Sequence, residues 1–64
     1  RTIAAFDAAP AEKQAGIVAK AQELGLVGPA TTAATFKTDF AALEASAEPQ
    51  RAALLELQDF AETP

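Results

Sequence analysis

The sequence predicts an all-α protein, a small three-helix bundle or a helical hairpin with a third helix packed on it. Three observations carry that reading. Eighteen of the 64 residues are alanine, which loses no side-chain entropy in a helix and brings no polar group to bury. No stretch alternates apolar with polar residues long enough to make a sheet face, and the β-branched and aromatic runs of a strand are missing. Ala33, Phe36, Phe40, Leu43 and Ala47 fall in one narrow arc at about 100° per residue, the clearest periodic signal in the chain. The signals together place helices over roughly 8–25, 30–45 and 47–61.

The first helix is announced by Phe6-Asp7-Ala8-Ala9-Pro10. Asp7 is an oxygen acceptor for the free N–H groups of a first turn, and Pro10 falls where its missing donor is harmless. Phe6 stands just before that cap, placed to fold back as a staple. Upstream, Thr2 and Ile3 open a short extra turn, or the chain is cut there through an earlier element. The helix is expected to run to Leu24 and stop at Gly25 in a left-handed conformation, with Leu26 making the apolar contact that accompanies such ends. Ile17, Ala21 and Leu24 mark its inner face, with Lys13 and Lys20 laid over the edge on their apolar stems.

Gly28-Pro29 punctuates the next connection, and the second helix is expected to begin between Pro29 and Thr32. Its seam is the arc named above, with Phe40 at the centre. Ser46-Ala47-Glu48-Pro49 repeats the capping logic of Asp7 to Pro10, a short oxygen acceptor with proline three residues on. The third helix then runs to about Ala61, its inner arc made of Ala53, Leu54, Leu57, Phe60 and Ala61.

Composition excludes more than it assigns. There is no Cys, His, Met, Trp or Tyr, which removes disulfides, thiolate and imidazole metal sites and the familiar nucleophile pairs. Five Lys and Arg stand against nine Asp and Glu, a net charge of −4. Scattered cations on an acidic chain are a poor match for a phosphate backbone, so nucleic acid is not an expected partner. The longest charge-free stretch, Leu24 to Phe36, is well short of the ~20 apolar residues of a spanning helix. No transmembrane segment is expected. The chain reads as one small helical domain over 1–64, and the absence of any Met points to a processed form or a fragment of a longer chain.

Carboxylates are the only plentiful titratable groups, and they form no recognisable catalytic constellation. No enzyme, cofactor or metal is expected. Glu56, Asp59 and Glu62 recur at three-residue spacing, and the last two lie where a helix dipole disfavours negative charge. Such a series suits either a basic docking partner or a hard cation, although nothing resembles the Gly-containing loop of a calcium site. Thr31, Thr35 and Thr38 are expected on one side of the second helix, with Ala34, Ala41, Ala42 and Ala45 completing a back of small side chains that lets another helix approach closely. A threonine row on an alanine-rich helix resembles the alanine-rich ice-binding helices in composition only: that class repeats threonine every eleven residues, and here the steps are four and three. Leu55 falls outside the apolar arc of the third helix.

These features define the expected function. A chain this short has few large apolar side chains and no covalent staple, so a partner surface is a natural source of added stability. The expectation is a non-catalytic helical accessory subunit that docks on a larger protein assembly, with Thr31, Thr35, Thr38, Ala41, Ala45, Leu55, Asp59 and Glu62 as the partner-facing residues. If the missing Met reflects removal of a targeting peptide, an organellar complex, mitochondrial or photosynthetic, is the setting, and peripheral association with a membrane complex is compatible with it. The alternative is an independent bundle that holds a hydrophobic small molecule or lipid among Phe36, Phe40, Leu43 and Phe60.

Overall fold

The structure, a computed structural model, describes residues 2–44 and 50–63. Among these described residues four helices follow one another: α1 over Thr2–Ala8, α2 over Ala11–Glu23, α3 over Phe36–Glu44 and α4 over Arg51–Glu62. No strand occurs among the described residues. The all-α expectation holds, and the count of helices rises from three to four because the N-terminal segment folds as a helix of its own.

Proline explains that division. Pro10 lacks an N–H and disfavours helical backbone at Ala9, so the chain turns there instead of running on. Pro10 takes φ −68° and ψ 164° at the head of α2, with no side-chain cap, and its carbonyl accepts the Gln14 N–H at 2.9 Å. Asp7 therefore does not cap α2. It sits in α1, its carboxylate 3.0 Å from the Lys37 ammonium on α3. Phe6 is not a staple on the first turn either, but a core residue that is 2% exposed. Gln14 closes the joint by donating its side-chain amide at 2.9 Å to the Phe6 carbonyl, which also accepts the Ala9 N–H at 3.2 Å.

The end of α2 matches its expectation in detail. Gly25 has φ +75°, its N–H donates to the Gln22 carbonyl at 3.1 Å, and the Leu26 N–H reaches back to the Ala21 carbonyl at 2.9 Å. This is the paired hydrogen-bond pattern of a Schellman end. Leu26 is buried, so the turn aims the chain back at the core.

The start of α3 lies later than expected, at Phe36 in place of Pro29 to Thr32. The threonines are the reason, because their hydroxyls offer backbone groups a partner that competes with the helical ladder. The Thr32 N–H donates to Thr35 Oγ1 at 3.0 Å, and the Thr35 carbonyl accepts the Asp39 N–H at 3.0 Å. Helical bonding thus begins at Thr35. In α4 the first residue is Arg51, and Gln50 precedes it without a side-chain cap. The expected Ser46 and Pro49 cap lies outside the described residues.

The core has an aromatic centre. Phe36, fully buried, stacks on Phe6 at 4.6 Å between ring centroids and 27° between planes, and on Phe40 at 5.4 Å and 22°. Phe36, and not Phe40, is thus the middle of the seam. Ile17 and Ala21 of α2 and Leu57 of α4 fill the rest with no exposure. Helix α4 packs on both α1 and α2. Phe60 passes over Gly16, where an added methyl would lie 3.7 Å from its ring, and the Lys13 ammonium stands 4.2 Å from the same ring centroid. Lys20 completes the α2 to α4 contact at 3.3 Å from Glu56. Both lysines lie over the edge of the apolar face, as their sequence positions imply.

The positive φ at Gly25 supplies a test. Gly25→Ala forces a side chain into left-handed backbone and is expected to cost about 1–2 kcal/mol, with about 4–8 °C lost in Tm per kcal/mol in a domain this size. Gly28 has open space around its Cα and no positive φ, so Gly28→Ala is expected to leave Tm unchanged or slightly raised. Thermal unfolding followed by circular dichroism distinguishes them, and equal effects at the two positions contradict the assigned helix end.

Candidate functional site

Among the described residues the partner-facing candidates do not form one surface. Thr31 is buried, 8% exposed; its hydroxyl donates to Asp39 Oδ2 at 2.7 Å, and its carbonyl accepts from Gln22 Nε2 at 3.1 Å. It pins the loop to α3 instead of meeting a partner. Thr35 is exposed, but its hydroxyl accepts from the Thr32 backbone and it precedes the helix. The threonine row therefore does not exist as a helix face; Thr38 alone of the three lies within α3. Ala45 lies outside the described residues.

What remains forms two outward helix faces. On α3, Lys37, Thr38, Ala41 and Ala42 are exposed, a face of short side chains beside one cation. On α4, Arg51, Ala52, Leu55, Asp59 and Glu62 are exposed. Leu55 is 57% exposed, while every other Leu, Ile, Val and Phe is buried or packed against the core. Glu56, Asp59 and Glu62 of the acidic series of α4 are all exposed, and Glu56 reaches Lys20 of α2. Among the described residues no group of three or more carboxylates is placed to hold a metal ion.

Two shallow grooves mark the surface. One runs between the end of α1 and the end of α4, lined by Ala5, Ala8, Ala9, Pro10 and Ala61 with Lys13, Glu62 and Thr63. The other follows the loop before α3, where Leu26, Val27, Thr31 and Thr35 meet Asp39, Ala42 and Leu43. Of the four side chains expected around a small molecule, Leu43 lines a groove and Phe36, Phe40 and Phe60 line neither.

The loop itself depends on a residue that sequence reasoning missed. Gln22 Nε2 lies within 3.2 Å of the Gly28 carbonyl, 3.4 Å of the Pro29 carbonyl and 3.1 Å of the Thr31 carbonyl. One amide thus gathers three backbone acceptors of a turn-rich segment. A polar residue in the last turn of a helix that ends in Gly is too common a pattern to reveal this. The chain matches no protein-family model, no curated protein and no solved structure, so its surface carries the functional argument.

The two assigned roles of threonine are separable by mutation. Thr31→Val removes a bond to a carboxylate from a buried position and is expected to cost about 1–2 kcal/mol. Thr38→Val on the exposed face is expected to stay within about 0.5 kcal/mol. Urea denaturation of the two variants decides, and equal losses contradict the assignment of Thr31 to the scaffold.

Proposed function

We propose that the chain is a non-catalytic helical accessory module that docks on a larger protein assembly through the outer faces of α3 and α4. The observation that carries the reading is Leu55. In a domain short of large apolar side chains, burying a leucine contributes about 1.5–3 kcal/mol, yet this one is left 57% in solvent while the others are packed. A single exposed leucine is ordinary in itself, and its surroundings are what support the reading. Here it lies among Ala52, Arg51 and Asp59, a small apolar centre with charged neighbours, which is the layout of a protein-binding patch. Thr38, Ala41 and Ala42 on α3 add a face that a second helix can approach closely.

The proposed setting is an organellar complex, mitochondrial or photosynthetic, and a peripheral position on a membrane complex suits the same reading. No described helix is long and apolar enough to cross a membrane. The competing reading, a hydrophobic small molecule among the phenylalanines, has less support. Phe36 is engaged with both Phe6 and Phe40, and Phe60 is covered by Lys13.

The test is a photo-crosslinking amino acid placed at position 55 and, as a control, at the exposed Glu12 of α2, in the cells that make the protein. A discrete protein adduct from position 55 and none from position 12 is expected. No adduct from position 55, or the same adducts from both, overturns the proposal.

A further inference from the structure

The charges around Leu55 are arranged symmetrically along the helix. Arg51 lies four residues before it and Asp59 four residues after it, and all three are exposed. At 100° per residue they form one ridge of four-residue spacing, about 6 Å of rise to either side of Leu55. Arg51 and Asp59 are about 12 Å apart along their own helix, too far to pair with each other. Neither makes an ion pair among the described residues.

The polarity of the helix points the same way. Helix α4 has no acidic residue in its first turn and no basic residue in its last; it begins at Arg51 and carries Asp59 in its last turn. Both charges oppose the macrodipole of their own helix. An antiparallel copy of the same helix reverses both relations: Asp59 then lies beside the partner's positive N-terminal end and Arg51 beside its negative C-terminal end.

From this pattern we infer that the outer face of α4 pairs with the same face of a second copy of this chain, antiparallel, with Leu55 on Leu55 at the two-fold axis and Arg51 opposite Asp59 at both ends. The inference rests on the reading of this face as a docking surface and names its occupant. Ridges of four-residue spacing pack into each other at a crossing angle of about −50°, and Ala52 beside the ridge leaves room for close approach. A self-complementary patch of this kind is what an isologous interface requires. One helix face buries less than the ~1,200 Å² of a firm complex, so the dimer is a weak one.

The experiment is sedimentation equilibrium of the wild-type chain and of Arg51→Asp and Asp59→Arg, up to about 1 mM. Each single variant places like charges opposite each other twice in the dimer. The wild type is expected to dimerise with concentration and each variant to lose about tenfold or more in affinity. An equimolar mixture of the two variants, one face now wholly acidic and the other wholly basic, is expected to associate again, as is the double variant Arg51→Asp/Asp59→Arg. Circular dichroism melts that match the wild type establish that the exposed substitutions leave the fold intact. A monomeric wild type throughout, or variants that associate as the wild type does, or a mixture that fails to associate, overturns the second-copy assignment. If position 55 still crosslinks to a different protein, the docking reading stands without it; if position 55 crosslinks to nothing, both fall.

Discussion

While α4 packs on α1 and α2, the Phe36 ring, held between Phe6 and Phe40, is the contact that ties α3 into the fold. It fixes α1 against α3, two short helices from opposite sides of a turn-rich loop that no disulfide can join, because the chain has no cysteine. Stacked aromatic pairs contribute about 0.5–1.5 kcal/mol beyond their buried area, and emptying a phenylalanine site costs about 3–5 kcal/mol. That loss is a large part of the roughly 5–15 kcal/mol that holds a typical domain together. The polar contacts are smaller and serve geometry. Asp7 and Lys37, each more than half exposed, join the same two helices by an ion pair of the kind that is worth little at a surface.

Concentrating the large side chains inside has a consequence for the outside. Among the described residues the surface is left largely to alanine, threonine and charge. Leu55 is the departure, and its meaning comes from that background more than from its own size. The α3 face and the α4 face differ in kind: the first is small and nearly featureless, the second carries an apolar centre between opposite charges. In the proposed role the first is the face for close helix approach and the second the face for a partner of defined polarity.

The fold class was legible in the sequence because alanine content and the Phe36, Phe40, Leu43 arc are local signals of helix. The Gly25 end was legible for the same reason, since the residue that permits positive φ and the apolar residue after it stand side by side. Two features were not legible. Pro10 reads equally well as the first residue of a helix or as the break between two, and only the burial of Phe6 against Phe36, thirty residues away in sequence, decides for the break. Thr31, Thr35 and Thr38 share a helical arc on paper; hydroxyl bonds to Asp39 and to the Thr32 backbone, which depend on the loop path, take the first two out of the helix. Of the candidate surface, Leu55, Asp59, Thr38 and Ala41 lie exposed, outside the apolar arcs read from the sequence. Thr31 does not, because Asp39 and Gln22 claim it.

The central claim concerns the aromatic stack, and nuclear Overhauser contacts among its ring protons test it most directly. In a dilute sample the account predicts strong contacts from Phe36 to both Phe6 and Phe40, with the Phe36 ring protons shifted upfield by the rings on either side. A helical spectrum in which Phe6 shows no contact with Phe36 would contradict it, since α3 would then not be docked on α1 through the aromatic stack.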